Sequence, residues 1–425
     1  MTLSIRFEAS VRAMLAHGLP HVMIANIAQQ AVAILGVLVI VRVLPSDEFA
    51  MVRIAMAYVA VATVIGAGGL TAPVLRYCAD ARFSEEVRRQ IIGAGLRRMM
   101  VPAIATMMGA FSLVFLSGRS NDEILVLGAY ALQIPMLAAS SLLLVYLQAV
   151  QRFHYLAYSQ VVIRLFGFLL TSAAAWFYGL SGLLLATLLV AVANVFPLLV
   201  AARPLFHTLV LPEDFGSLAK YSVVGMLVTT IGQSADILLL DWVGAERKLV
   251  AIYALATIFF MALSALVGSV QAVATPMFTG LISDPSGFRD RLRRWTLGLL
   301  AVALPVAVGV VGLAWGLEHF VLGPAYTSLS DMVSILMLRF CLWCTYAVGG
   351  AALLGVGAIR QGTWVAVLTT SLAFVVGYPL CLGWGIWGAA WTQVLVALAS
   401  AVSVWIVIWR EMGKLAQPSG PEHVL

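Results

Sequence analysis

Residues 153–202 read FHYLAYSQVVIRLFGFLLTSAAAWFYGLSGLLLATLLVAVANVFPLLVAA, and Arg164 is their only formally charged side chain. A helix crosses the hydrocarbon core of a bilayer with about 20 apolar residues, so this stretch is too long for one crossing and long enough for two. Gly179-Leu180-Ser181-Gly182 interrupts it and predicts a turn. The sequence therefore predicts two membrane-spanning helices joined by a short connection.

Residues 361–409 repeat this pattern without any charged side chain, and Gly385-Ile386-Trp387-Gly388 supplies the turn. Eight further runs are long and apolar enough for one crossing each, with Asp236 and Arg339 as their only charges. They are residues 13–41, 54–75, 99–118, 124–151, 221–240, 249–283, 295–317 and 332–359. The sequence predicts an all-α integral membrane protein with twelve transmembrane helices.

The composition excludes an ordinary soluble domain. Of 425 residues, 62% are hydrophobic and 10% are charged, against about 25% charged in an average soluble domain. The net charge of +6 would also suit a nucleic-acid-binding protein. However, the charges fall in short clusters between long apolar runs, which is typical of membrane loops, so we expect no nucleic-acid partner.

The distribution of basic residues predicts the orientation. Eighteen Lys and Arg residues lie on the side that holds both termini, five lie on the other side, and two lie within spans. The positive-inside rule then places both termini in the cytoplasm, with residues 415–425 as a cytoplasmic tail. Six arginines lie between Arg76 and Arg98, where they could contact anionic lipid headgroups or serve as a topology signal. The first apolar run is too long for a signal peptide and is expected to remain as a span.

The two halves of the chain contain an internal repeat. Phe49-Ala50-Met51 aligns with Val250-Ala251-Ile252 at an offset of 201 residues, and the first glycine turn aligns with the second at 206. Six spans per half is an even number, so both halves would enter the membrane from the same side. We therefore predict two six-helix bundles, residues 1–210 and 211–414, related by a pseudo-twofold axis along the membrane normal.

Several short motifs follow one another along nearly the whole chain. They are Asn26 with Gln29 and Gln30, Val43-Leu44-Pro45-Ser46-Asp47-Glu48-Phe49-Ala50, Gln151-Arg152-Phe153, Ala235-Asp236-Ile237-Leu238-Leu239-Leu240, Ala251-Ile252-Tyr253-Ala254 and Gly323-Pro324-Ala325-Tyr326. In their order and spacing they resemble the multidrug/oligosaccharidyl-lipid/polysaccharide (MOP) exporter superfamily, and within it the Wzx-type flippases. Ala50 and Ala251 depart from the pattern, because the family usually has glycine there.

The resemblance implies two bundles around a central cavity that opens alternately to either side. It implies a transporter, not an enzyme, that flips undecaprenyl-diphosphate-linked oligosaccharide across the bacterial inner membrane for polysaccharide or lipopolysaccharide synthesis. Membrane lipids and polysaccharide-assembly proteins are the other expected partners. Two alternatives remain open: a cation-coupled drug exporter of the same superfamily, and a membrane glycosyltransferase or polymerase.

Ionisable groups inside a bilayer are costly, so each one in a span needs an explanation. Asp236 and Arg339 fall at similar predicted depth in the second bundle. They could neutralise each other as an ion pair or within a shared polar network, or they could face the cavity and respond to a coupling ion or to the substrate.

Arg164 has no acidic partner among the spans of its own half. It could bind the substrate's diphosphate, because guanidinium pairs well with phosphate oxygens, or it could extend to the cytoplasmic interface. Gln160 lies one turn earlier on the same helix face, and Asn26 and Gln30 lie on one face of the first span. These neutral groups could line a cavity or form hydrogen bonds between helices.

We expect no catalytic residue, metal site or cofactor. The chain has no Walker motif and no H-E-x-x-H. Cys341 and Cys344 form a C-x-x-C pattern in an apolar segment without nearby histidines, and packing is their expected role.

The predicted topology can be tested by cysteine accessibility. A cysteine introduced at Asn121 should react with a membrane-impermeant thiol reagent added outside the cell, because the loop before the fourth span is expected outside. A cysteine at Ser286 should react only from the cytoplasm. The opposite labelling pattern would contradict the orientation.

Overall fold

The computed structural model describes residues 19–80, 82–206, 214–279, 285–356 and 358–415. Within these ranges the regular elements are helices, and no strand is present. This agrees with the all-α class that the sequence predicts. The chain divides into two compact units, Met1–Thr230 (unit 1) and Ile231–Leu425 (unit 2).

Twelve α-helices are numbered here in chain order. They are α1 Leu19–Val43, α2 Ser46–Ala67, α3 Thr71–Ala79, α4 Glu85–Leu116, α5 Asn121–Ala131, α6 Ile134–Ala149, α7 Phe153–Ala202, α8 Phe215–Trp242, α9 Arg247–Thr279, α10 Pro285–Leu317, α11 Leu329–Gly355 and α12 Ile359–Leu415. A π-helical turn, Glu318–Leu322, and a 3-10 turn, Gly323–Tyr326, connect α10 to α11.

Nine helical segments in the described part are long and apolar enough to cross a membrane, so the protein is a multi-pass membrane protein. Helix α1 adds a shorter apolar stretch, Gln29–Val43. Helices suit this environment because each satisfies its backbone hydrogen bonds internally, where hydrocarbon offers no partner.

Helix α7 is a hairpin with its corner at Gly179. The backbone of Gly179 has φ 59° and ψ −141°, outside the helical region. Residues before the corner contact residues after it, and the contacts farther from Gly179 join residues farther apart in sequence. Gly167 packs on Val190, and the Tyr155 hydroxyl donates to the Pro197 carbonyl at 2.8 Å. Residues 153–178 (the first limb) and 180–202 (the second limb) therefore run antiparallel, as the sequence predicts.

Helix α12 folds in the same way around Gly385, which has φ 54° and ψ −128°. Gly377 packs on Thr392, and farther from the corner the Gln361 amide donates to the Glu411 carboxyl at 3.4 Å. The two corners also share a close approach. Gly182 and Gly388 each have no room for a Cβ, because the carbonyl oxygens of Ala174 and Leu380 lie against them.

Polar residues at helix ends explain where several helices begin. The Ser84 hydroxyl accepts a hydrogen bond from the Val87 N–H at the start of α4, and Ser120 does the same for Glu123 at the start of α5. Each cap is followed by two acidic residues in the first turn, which the helix dipole favours.

Unit 1 ends inside α8, because the first part of that helix packs against α3 and α4. Phe215 is buried and stacks on Tyr77 with ring centroids 5.9 Å apart, and Ala219 joins the same core. The two compact units divide between Thr230 and Ile231. The boundary between two six-helix bundles at residue 210 stays a prediction. Unit 2 has its own core, in which Phe278 and Phe288 lie 5.1 Å apart.

The second span differs from its predicted bounds, 54–75. Helix α2 already begins at Ser46 and ends at Ala67, where Gly68 adopts a left-handed conformation. Residues 71–79 form the separate short helix α3. Arg53, which we counted as a loop residue, therefore lies two turns inside α2.

The corner of α7 gives a stability prediction. Gly179→Ala should lower stability by roughly 1–3 kcal/mol, because a Cβ is strained at this positive φ. Gly109→Ala, in open space within α4, is the matched control and should be neutral or stabilising. Thermal unfolding in detergent measures both, and an unchanged melting temperature for Gly179→Ala would contradict this account of the corner.

Candidate functional site

Asp236 lies in the interior of unit 2 with a hydrogen-bond partner on the next helix. It is 5% exposed on α8, and its Oδ2 accepts a hydrogen bond from the Tyr253 hydroxyl of α9 at 2.6 Å. Its Oδ1 accepts from the Ile237 N–H at 2.8 Å. Tyr253 is fully buried. Both carboxyl oxygens are therefore satisfied, which removes much of the cost of burying this polar group.

Arg339, on α11, binds an aromatic ring of α9 instead of a carboxylate. Its Cζ lies 3.9 Å from the centroid of the Phe260 ring, which is cation–π geometry. No ion pair joins Arg339 to Asp236 in the described part of the chain.

The contacts that Asp236 and Arg339 make with α9 lie at different levels along that helix. Phe260 follows Tyr253 by seven residues, so the ring under Arg339 lies about 10 Å along the axis from the partner of Asp236. Asp236 therefore has a phenol as its partner and Arg339 an aromatic ring, and no hydrogen bond among the described residues links the two side chains.

Arg164 is exposed on the first limb of α7. It has no hydrogen bond or ion pair with any residue that the structure describes. Gln160, one turn earlier and half-buried, contacts Asn194 of the second limb, with Nε2 and Oδ1 3.5 Å apart. Gly167, one turn later, packs on Val190. The cation thus lies between two contacts that hold the limbs together.

The remaining predicted site residues lie on α1, which packs along α7. Gln30 is half-buried there. Asn26 falls within α1, but its side chain is outside the described residues. The contact of Gly36 with Phe168 shows that α1 approaches the same limb that carries Gln160 and Arg164.

A second polar cluster, in unit 1, was missed by our sequence analysis. Gln133 is 4% exposed, and its Nε2 donates to Thr187 Oγ1 at 3.2 Å. Tyr130 is also buried, hydrogen bonds to Thr187 and interacts electrostatically with Arg53. Gln133 is an amide within an otherwise apolar run, and that was the available signal. Arg53 was hidden by the assumption that α2 begins after it.

The connection between α8 and α9 also carries an ion pair that we did not predict. Arg247 Nη1 lies 2.9 Å from Asp241 Oδ1, and the Asp241 side chain is 1% exposed. This pair closes the short turn between the two helices. Its position at a helix–helix connection indicates a structural role.

The arginine-rich connection between α3 and α4 is partly neutralised within the protein. Arg82 Nη2 lies 2.6 Å from Asp80 Oδ2, and this hydrogen bond lowers the pKa of Asp80 to about 2. Arg88 donates to the Asp80 carbonyl at 2.8 Å, and Arg152 pairs with Glu85 at 3.2 Å. Several of these arginines therefore fix the ends of helices.

No group of three or more His, Cys, Asp or Glu side chains that could hold a metal is found among the described residues. Cys344 is buried and Cys341 half-buried, and neither belongs to such a group among the described residues. Among the sequence-predicted site residues that the structure describes, Arg164 is a cation without a partner and Asp236 belongs to a buried carboxyl–phenol pair.

The comparison with protein families gives the identity of the chain at family level. A model described as "Polysaccharide biosynthesis protein" matches residues 16–281, well over half of the sequence. The chain belongs to this family. None of the curated proteins matches the sequence directly.

Solved structures share the fold of this polysaccharide biosynthesis family member. "Lipid II flippase MurJ, inward closed conformation" has a TM-score of 0.76 at 12% identity, covering 93% of this chain and 89% of that one. An inward-facing multidrug resistance MATE family transporter of the MOP superfamily has a TM-score of 0.71 at 13% identity, with 95% and 96% covered. A eukaryotic MATE transporter has 0.65 at 17%, with 94% and 98% covered. The resemblance to the MOP superfamily is confirmed.

The contact between Asp236 and Tyr253 predicts energetic coupling. Tyr253→Phe should destabilise the protein by about 1–3 kcal/mol, because a buried carboxyl oxygen loses its donor. Asp236→Leu combined with Tyr253→Phe removes both polar groups and should cost less than the sum of the single changes. Thermal unfolding of the four proteins in detergent measures the coupling.

Tyr130→Phe combined with Asp236→Leu is the matched control, because Tyr130 is a buried tyrosine that bonds to Thr187 and not to Asp236. That combination should be additive within about 0.5 kcal/mol. Additive effects for the Tyr253 combination would contradict the coupling.

Proposed function

We propose that this membrane transporter of the MOP superfamily flips an undecaprenyl-diphosphate-linked oligosaccharide across the bacterial inner membrane, by alternating access, for polysaccharide or lipopolysaccharide synthesis. Membership of the polysaccharide biosynthesis family supports this substrate class. The fold shared with a lipid II flippase supports the reaction type, the movement of a lipid-linked molecule without a chemical step.

Arg164 is the observation that carries the proposal. It is exposed, and it has no hydrogen-bond or ion-pair partner among the described residues, on a limb whose other residues carry no formal charge. Leaving a lone guanidinium in an apolar helix is costly unless a ligand or water reaches it. A diphosphate group needs cations to offset its charge on the way through hydrocarbon, and a guanidinium can bind it in a bidentate manner. Gln160, Gln30 and Asn26 are the polar groups proposed to bind the substrate beside it.

The proposed topology has twelve crossings with both termini in the cytoplasm. Nine candidate segments lie in the described part of the chain. Twelve crossings result if the hairpin helices α7 and α12 each cross twice and α1 crosses once. We propose the two six-helix bundles, residues 1–210 and 211–414, on the basis of the repeated glycine corners at Gly179 and Gly385.

A cation-coupled exporter of small molecules is the second candidate. The shared fold with MATE family transporters supports it, and so does the buried carboxyl–phenol pair of Asp236 and Tyr253, which is a group that could take up a coupling ion. This reading predicts that the gene restores drug resistance to an exporter-deficient strain, whereas the flippase reading predicts no such rescue.

Complementation of a flippase-deficient strain that makes the matching polysaccharide tests the role of Arg164. Arg164→Ala should abolish polysaccharide export while the protein still reaches the membrane, because the diphosphate loses its cation. Arg164→Lys should be impaired, since lysine binds phosphate only as a point charge. Arg82→Gln is a matched control, because Arg82 is exposed and pairs with Asp80 in a connecting loop.

Full export by Arg164→Ala at normal expression would contradict the proposed diphosphate contact. Loss of export by Arg82→Gln to the same degree would show that the assay responds to any lost positive charge. Neighbouring genes provide an independent check, since flanking glycosyltransferase genes support the flippase and also point to polysaccharide-assembly proteins as partners.

A further inference from the structure

Unit 2 contains a groove between the first part of α10 and the last part of α12, with a volume of about 540 Å³. We call it the Arg–Trp groove. Its polar and aromatic lining is Arg289, Arg293, Thr296, Trp405 and Trp409. Sites that hold small molecules commonly span about 300–1,000 Å³, so the groove can hold a headgroup and the beginning of its acyl chains.

The sequence places this groove at the boundary between polar and apolar regions. Arg289 and Arg293 immediately precede the apolar run 295–317, and Trp405 and Trp409 end the apolar run 361–409. Tryptophan is enriched at the level of lipid headgroups, where its ring contacts both apolar and polar groups. Trp409 is 76% exposed, so its ring is free to contact lipid.

The groove carries positive charge that the protein itself does not neutralise. Arg289 and Arg293 are exposed, lie four residues apart on one face of α10 and have no ion-pair partner among the described residues. The nearest acid in sequence, Asp290, pairs instead with Arg294 at 2.7 Å. None of the described residues that line the groove carries a carboxylate. Two neighbouring guanidinium groups repel each other, and an anion between them would relieve that repulsion.

Thr296 gives an independent indication of a ligand. It is 7% exposed and lines the same groove three residues after Arg293, one turn farther along α10. Its hydroxyl is buried and has no hydrogen-bond partner within the described ranges. A buried hydroxyl without a partner is unfavourable, and such groups are normally satisfied by protein, water or a ligand.

We propose that the Arg–Trp groove binds an anionic phospholipid of the surrounding bilayer. Arg289 and Arg293 hold the phosphate, Trp409 contacts the glycerol region, and the apolar side chains Leu292 and Leu297 contact the acyl chains. Basic pockets between transmembrane helices bind anionic headgroups in this manner. This bound lipid is a component of the membrane and not the transported substrate, so the inference goes beyond the proposed function.

Native mass spectrometry of the detergent-purified protein tests the site. The full-length protein should retain phosphatidylglycerol in preference to phosphatidylcholine at equal concentration. Arg289→Gln with Arg293→Gln should weaken phosphatidylglycerol binding by roughly tenfold or more, because two charge-assisted hydrogen bonds are lost. Arg360→Gln with Arg410→Gln is the matched control: it removes two exposed charges of α12 outside the groove and keeps the Asp290–Arg294 pair, so it should leave binding unchanged.

Three results would overturn the proposal. The first is equal phosphatidylglycerol binding by the groove variant and the unmodified protein, and the second is equal weakening by the control variant. The third is binding of glycerol 3-phosphate or farnesyl diphosphate as tight as that of phosphatidylglycerol, which would identify a free phosphate site or a substrate entry site. Trp409→Ala, at an exposed position, should also weaken phosphatidylglycerol binding and provides a second variant if the double arginine variant does not fold.

Discussion

Hydrocarbon offers no hydrogen-bond partner to a peptide group, and the organisation of this chain follows from that constraint. Each long apolar run must form a helix, because only a helix satisfies its backbone within one segment. Turns are then confined to places where the backbone can reverse with few unsatisfied groups. Gly179 and Gly385 provide such corners, since a single residue in a non-helical conformation reverses a helix of about fifty residues into two antiparallel limbs.

The same constraint requires a hydrogen-bond partner for the buried polar side chains within the spans. Asp236 is satisfied by the Tyr253 hydroxyl, Gln133 by Thr187, and Asp241 by Arg247. Each of these pairs joins two helices or closes a turn between them, so it stabilises the packing of its own unit. In an apolar surrounding, loss of either partner removes a hydrogen bond that hydrocarbon cannot replace, which makes these contacts important for specifying how the helices pack.

Sequence predicted the fold class well because the hydrophobic runs are long and the charges between them are sparse. It also located both corners, since a glycine pair is conspicuous in an uncharged stretch. It failed where a boundary depended on polar residues that belong to a helix. Ser46, Asp47 and Glu48 look like a loop, but they form the first turn of α2, and Arg53 follows them inside the helix.

The candidate site was predictable only in part, for a similar reason. The charges of Arg164, Asp236 and Arg339 identify them in any apolar run. The partners of Asp236 and Arg339 are a tyrosine and a phenylalanine, which are ordinary residues in a membrane helix and carry no signal in one sequence. The contacts of Asp236 with Tyr253 and of Arg339 with Phe260 lie two turns apart on α9, and residue counts could not have identified either one.

Some polar side chains of this protein have a partner within their own unit, and others have none among the described residues. A buried polar group that has a partner within its own unit contributes to the stability of that unit. Arg164, Arg289 and Arg293 have no partner among the described residues, and all three are exposed. The apolar runs around or beside them supply no counter-charge, so the two proposals assign an anion from outside the protein to complete their interactions. A lipid-linked diphosphate and an anionic headgroup both meet that requirement, at positions that differ in depth: Arg164 is well inside its limb, and the two groove arginines lie where the apolar run begins.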